Sequence, residues 1–277
     1  MNVGRRRRGP VQRLLAANAW LVYAFLYLPI LVLIAFSFNA NERNVSVWTG
    51  GTLKWYGEVF QNPNVTGAIR NSLVVAFMAT LVSTVIGTAA AISLERFRYR
   101  GQRGYDGLLY MPVIIPDVTM AVMMLLFFAQ GFAMIHGLFG VRFTFGLGTI
   151  ALSHIAFNIS FVAIVVRARL GQMDPSIEEA AADLYAGRWA TFRKVTLPMI
   201  LPGVLGGALL ALTLSLDDVV ITSFVTGPGS TTLPVYVFGL VRRGVSPLIN
   251  AVSVLMLVAS MVLVGASLVV QRARSRS

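Results

Sequence analysis

A helix that crosses the hydrocarbon of a bilayer needs about 20 largely apolar residues, and six stretches of this chain meet that requirement. Residues 14–38, 71–94 and 248–270 carry no charged side chain. Residues 107–135 carry only Asp117, residues 143–166 only His154, and residues 199–225 only Asp217 and Asp218. Backbone polar groups inside lipid must pair within their own segment, so each stretch reads as a membrane helix. Only 12% of the residues are charged, against about 25% in soluble domains, too few to cover a water-soluble globule. The expected fold class is an all-α integral membrane protein with about six transmembrane helices.

The net charge of +12 does not mark a nucleic-acid binder, because the basic residues share no one solvated face. They fall in short clusters between the apolar stretches. Five stand before the first (Arg5, Arg6, Arg7, Arg8, Arg13) and four between the second and third (Arg96, Arg98, Arg100, Arg103). Five follow the fourth (Arg167, Arg169, Arg188, Arg193, Lys194) and three end the chain (Arg272, Arg274, Arg276). These are 17 of the 23 Lys and Arg residues, and the bias places both termini in the cytoplasm. The opening arginine run precedes an apolar stretch too long for a signal peptide, so it reads as the flank of an uncleaved first span. The absence of cysteine excludes disulfides, thiolate metal sites and a cysteine nucleophile.

The longest expected cytoplasmic connection, residues 167–198, has helical signals of its own. Asp174 followed by Pro175 starts a helix, and Glu178 and Glu179 occupy the first turn, where the dipole favours negative charge. Ala180, Ala181 and Ala182 keep that helix narrow. A second short helix carries Trp189, Phe192 and Val195 at three-residue spacing and ends at Pro198, with a turn at residues 185–188 between the two. On residue chemistry alone, the segment also fits a connector lying on the lipid surface.

Carboxylates inside a span are functional by default, because burying them in hydrocarbon is costly. Asp117 falls about 15 Å into the third stretch at 1.5 Å per residue, near the midplane; Asp217 and Asp218 fall in the outer half of the fifth. Each fits a cation pathway. Each also fits a structural hydrogen bond to an interior Ser, Thr, Asn or His, and the adjacent pair fits a shared proton. His154 and Asn158, one turn apart, suit hydrogen bonds between helices. Trp48, Trp55 and Tyr56 read as interfacial anchors, and His136 as a loop residue. No H-E-x-x-H, G-x-S-x-G or Walker A sequence occurs, so ATP hydrolysis is not expected of this chain.

The run Glu179-Ala-Ala-Ala-Asp-Leu-Tyr-Ala-Gly187, then Phe192 and Val195-Thr-Leu-Pro198, resembles the E-A-A loop of ABC-importer permeases. Further segments are similar to the second permease of spermidine/putrescine importers: Tyr27-Leu-Pro-Ile30, Leu53-Lys-Trp-Tyr56, Arg96-Phe-Arg-Tyr-Arg-Gly101, Pro116-Asp117 and Ser153-His154. Ser215-Leu-Asp-Asp-Val-Val220, Ser223-Phe-Val-Thr-Gly-Pro228, Leu233-Pro234 and Gly244-Val-Ser-Pro247 continue the likeness.

The resemblance implies a type I ABC-importer permease fold in a bacterial inner membrane, carrying a small cation, most specifically a polyamine. It implies a basic N-terminus over residues 1–13, a permease domain over 14–270 with its coupling loop at 174–198, and a tail over 271–277. It assigns Glu178, Glu179, Ala180, Ala181, Asp183, Gly187, Leu197 and Pro198 to docking on a cytoplasmic ATP-binding subunit dimer. It draws Asp117, His154, Asp217, Asp218, Ser223 and Phe224 toward the substrate pathway. A second homologous permease, a periplasmic substrate-binding protein and the lipid bilayer are the other implied partners. No cofactor is expected on this chain, ATP and magnesium belonging to the partner ATPase, and no nucleic acid. One position departs: the usual Gly falls at Tyr185, and Gly187 is expected to take over the turn. The rival reading is an ion-coupled secondary transporter using the intramembrane Asp residues.

Overall fold

The computed structural model describes residues 10–41, 47–242, 244 and 246–274. The arginines at 5–8, and Arg43, Arg243, Val245 and Arg276, lie outside the described residues. Among the described residues the secondary structure is helical, apart from one isolated bridge between Asn39 and Gly51. The chain divides into two compact units, residues 1–62 with 240–258, and residues 63–239 with 259–277.

The first unit contains α1 (Pro10–Phe36), the loop after it, α2 (Lys54–Gln61) and the start of α12 (Pro247–Arg274). The loop is organised by Asn39, which is fully buried. Its Nδ2 donates to Val47 O at 2.8 Å, and its Oδ1 accepts from Thr49 N–H at 3.2 Å. Trp55 is also buried, its indole N–H donating to Asn39 O at 2.8 Å, and the Tyr56 hydroxyl lies 2.7 Å from Ser37 Oγ. These two side chains are therefore staples of the loop rather than the interfacial anchors the sequence suggested. Buried Trp and Tyr must satisfy their polar atoms, and here the partners are close by. Trp48 does remain exposed.

The second unit is built round three long helices, α3 (Pro63–Arg96), α6 (Leu147–Leu170) and α9 (Leu197–Asp217). Lipid tails are as apolar as leucine, so membrane helices associate through close packing of small residues. A Cβ added to Gly87 of α3 would sit 2.8 Å from Ile159 O and 2.8 Å from Val162 Cβ of α6. One added to Gly207 of α9 would sit 3.3 Å from the Val162 Cα. Val162, fully buried, is thus gripped from both sides. Around it Ala91, Leu94, Val166, Leu170, Ile200 and Ala211 close one core cluster. A second cluster joins Val75, Met120, Phe128, Ile150, Phe157 and Ile221.

Among the described residues five helices are long and apolar enough to cross a membrane, and Pro247–Val262 of α12 is a shorter apolar stretch. Two expected spans are broken. The third divides into α4 (Gln102–Ile114) and α5 (Asp117–Phe139). Ile115 and Pro116 are both extended, with ψ of 132° and 138°, because the residue before a proline is disfavoured in helical conformation. The fifth stops at Asp217, and after Asp218 and Val219 the chain resumes as α10 (Val220–Val225). A further helix, α11 (Leu233–Val241), precedes α12. His136, expected in a loop, lies in the last turn of α5.

Candidate functional site

The two breaks bring the intramembrane acids to one place. Asp117, Asp217 and Asp218 line a single cleft of about 230 Å³, together with Phe157 and Phe161 of α6 and Leu214 of α9. Asp117 is not at the middle of a continuous span. It occupies the exposed first turn of α5, where the helix dipole favours a carboxylate. Asp217, last residue of α9, is exposed, and Asp218 is partly buried. The cleft therefore combines three carboxylates with two aromatic faces, the chemistry that suits an organic cation.

Asp218 is held in place by bonds to residues of α10. Its Oδ2 accepts the Thr222 backbone N–H and hydroxyl, both at 2.7 Å, and its Oδ1 accepts the Ile221 N–H at 3.2 Å. This carboxylate thereby caps α10. Beneath it His154, fully buried, places Nε2 at 2.9 Å from Thr222 Oγ1 and 3.3 Å from Asp218 Oδ2. Its Nδ1 lies 2.6 Å from Ser215 Oγ. One relay satisfies every group: Ser215 O–H donates to Nδ1, Nε2–H donates to Thr222 Oγ1, and Thr222 O–H donates to Asp218. His154 thus supports the cleft from below, pinning both sides of the α9–α10 break to α6. Asn158, one turn further on, donates to Ala211 O at 3.3 Å. Both residues make the interhelical bonds that their spacing suggested.

The second region is the segment after α6. It forms α7 (Ser176–Asp183) and α8 (Arg188–Thr191), followed by a π-turn over Phe192–Thr196 that runs straight into α9. Asp174 Oδ1 accepts the Ser176 N–H at 3.0 Å, as its position before the helix suggested. That bond, with the Ser176 hydroxyl, holds the carboxyl below the usual aspartate range. Glu178 and Glu179 point differently. Glu178 Oε1 accepts from Arg96 Nη2 at 3.1 Å and from Thr196 Oγ1 at 2.8 Å, so it ties α7 to the end of α3 and to the π-turn. Glu179 is exposed, as are Ala180, Asp183 and Gly187. Nearby, Arg167 Nη1 meets Asp106 Oδ1 at 2.5 Å and binds α4 to the end of α6.

Two expectations about this segment are corrected. Pro198 does not end the second short helix. It sits in the first turn of α9, directly after the π-turn, and Leu197 N–H reaches back five residues to Phe192 O. Residues Arg188–Asp217 form one unbroken helical body. Nor does Gly187 make the turn, being extended at φ −64° and ψ 156°. Tyr185 itself adopts the left-handed conformation, at φ 58°. Ala186 N–H donates to Ala181 O at 3.0 Å and Tyr185 N–H to Ala182 O at 2.9 Å, the pair of bonds that defines a Schellman cap.

Of the residues drawn toward the substrate, Asp117, Asp217 and Asp218 meet in the cleft and His154 lies beneath it. Ser223 and Phe224 do not line it. The Ser223 hydroxyl donates instead to Val220 O at 2.8 Å within α10. Sequence reasoning missed Phe157, Phe161 and Thr222. The two phenylalanines lie three and seven residues after His154, on the helical face it marks, and that spacing was a usable signal.

Residues 83–276 match the family described as "Binding-protein-dependent transport system inner membrane component". The chain is 45% identical over 236 residues to the putrescine transport system permease protein PotI of Escherichia coli (strain K12), covering 85% of this chain and 82% of that protein. It is 38% identical over 255 residues to the spermidine/putrescine transport system permease protein PotC of the same strain, covering 92% of each. Among solved structures, it is similar in fold to a chain of a bacterial ABC transporter that imports alginate. The TM-score is 0.74 at 19% identity, over 93% of this chain and 96% of that one.

Proposed function

This chain belongs to the family of binding-protein-dependent transport system inner membrane components, and on that premise we propose that it forms half of an ATP-driven polyamine importer's membrane pore. It is a multi-pass inner-membrane transport subunit, and its relatives do not favour the ion-coupled rival. A second, similar permease completes the pore, a periplasmic binding protein delivers the substrate, and two ATP-binding subunits work from the cytoplasm. The chain contributes no hydrolytic chemistry. Both termini and the segment 167–198 face the cytoplasm, with 1–13 and 271–277 flanking the permease domain over 14–270.

The observation that carries the substrate class is the cleft in which Asp117, Asp217 and Asp218 face Phe157 and Phe161. A flexible chain of ammonium groups pairs with carboxylates and rests its methylenes on aromatic faces. Asp117 and Asp217 are the contacts and Asp218 is the anchored one, since its lone pairs are already committed. In the coupling loop, exposed Glu179, Ala180 and Asp183 dock on the ATPase. Glu178, Ala181, Gly187, Leu197 and Pro198 shape the segment that carries them.

The test is uptake by the complete complex in proteoliposomes, loaded binding protein outside and ATP inside. Spermidine or putrescine, but no neutral sugar, should be carried. Asp117→Asn and Asp217→Asn should each raise the half-saturating concentration or lower the rate by tenfold or more. Equal uptake of uncharged substrates, or untouched polyamine uptake in both variants, refutes the reading.

A further inference from the structure

Beyond the acidic cleft lies a larger cavity of about 1010 Å³, bounded by α4, α5, α6 and the end of α3. The two adjoin: Pro112, Met120 and Phe157 line both. Resting on the polyamine reading of the cleft, we propose that these three side chains form the neck of the substrate path. The larger cavity is then the release chamber on its inward side.

The chemistry of the two compartments differs in the sense that release requires. Among the described residues three carboxylates line the cleft and none lines the chamber. In their place stand Met111, Met123, Met124, Tyr99 and Tyr105, with Arg100 as the one charged residue among those described. Polarizable sulfur and aromatic rings accommodate a cation without holding it, and Arg100 repels it. A conducting path needs sites that bind well enough to admit the substrate and weakly enough to let it leave. A cation that passes the neck exchanges ion pairs for weak contacts, and the Arg100 charge discourages its return.

The neck is also placed where the chain bends. Pro112 stands three residues before Ile115, and Met120 stands four residues after Pro116, its N–H donating to Pro116 O at 3.1 Å. The extended pair Ile115–Pro116 separates α4 from α5, so a change in their angle moves Pro112 and Met120 against Phe157. Phe157 is fixed by comparison: it is buried on α6 and its ring lies 5.4 Å from that of His154.

The chain contains no cysteine, so a single introduced thiol reports on the chamber against the otherwise identical complex. In the reconstituted complex, Met123→Cys should react with the cationic reagent methanethiosulfonate-ethylammonium added from the ATPase side without nucleotide. The modification should lower spermidine uptake at least tenfold. Met120→Trp, which fills the neck, should lower spermidine carried per ATP hydrolysed at least tenfold in complexes that co-purify with all subunits. Should that variant fail to assemble, the thiol result decides. Reaction only with a lipid-soluble maleimide, or normal uptake after modification, overturns the chamber. The polyamine reading fails separately, through Asp117→Asn and Asp217→Asn, whatever the outcome at Met123.

Discussion

Replacing Tyr185 by glycine should tighten the turn between α7 and α8, an outcome opposite to that of most substitutions in an ordered segment. The residue holds φ at 58°, a conformation that costs an L-residue with a Cβ about 1–2 kcal/mol. Its side chain is 97% exposed, so truncation forfeits no packing. The two capping bonds, Ala186 N–H to Ala181 O and Tyr185 N–H to Ala182 O, run through backbone atoms and survive. Against this stands the greater freedom of glycine in the unfolded segment, about 0.5–1 kcal/mol. The balance is a gain of about 0.5–1 kcal/mol, which slows local opening by about two- to fivefold. Amide hydrogen exchange over residues 180–186 measures it directly in the purified complex. Tyr185→Val, β-branched and worse in this conformation, should exchange faster than the natural chain. A glycine variant that exchanges as fast as Tyr185, or a valine variant that exchanges no faster, would refute the argument that this residue is strained.

Four further outcomes follow from the geometry. Glu178→Ala removes a partly buried acceptor shared by Arg96 and Thr196 and should loosen α7 by about 1–2 kcal/mol, read as raised exchange of α7 with the membrane core unaffected. Gly87→Ala forces a methyl against Ile159 O and Val162 and should cost about 1–3 kcal/mol, seen as a lower unfolding temperature in detergent. His154→Ala removes the partner of the buried Ser215 hydroxyl and leaves Thr222 Oγ1 bonded only to Asp218, and should cost about 2–4 kcal/mol by the same measurement. Asp174 has a depressed carboxyl, so its cap on α7 is intact above the ordinary aspartate range and is lost only as pH falls through the lower folded value. Exchange at the start of α7, corrected for intrinsic rates, should therefore match at pH 5 and pH 7, whereas Asp174→Ala should raise it at both.

Five of the six expected spans were legible because long stretches nearly free of charge have one stable outcome in lipid. The breaks at Ile115–Pro116 and Asp218–Val219 were harder to see, since hydropathy is blind to backbone geometry. The first nevertheless carried a sign in its proline. The second carried none beyond Asp218, whose capping of α10 becomes plain only once Thr222 is known to lie over it. Glu178 and Glu179 are chemically alike and adjacent, and only the helix phase relative to Arg96 separates strut from exposed surface. Tyr185 illustrates the converse failure. The chain makes the left-handed turn at Tyr185, although a better glycine stands two positions away, because the Schellman bonds fix the register.

The unbroken helix over Arg188–Asp217 has a mechanical meaning. Thirty residues at 1.5 Å each make a rod about 45 Å long, with Trp189 near one tip and the cleft carboxylate Asp217 at the other. Pivoting such a rod by about 5° about one tip carries the other through about 4 Å, a displacement of the order of an ion-pair distance. Its helical ladder is interrupted at the π-turn over Phe192–Thr196, before Pro198, and again at Pro202 inside α9.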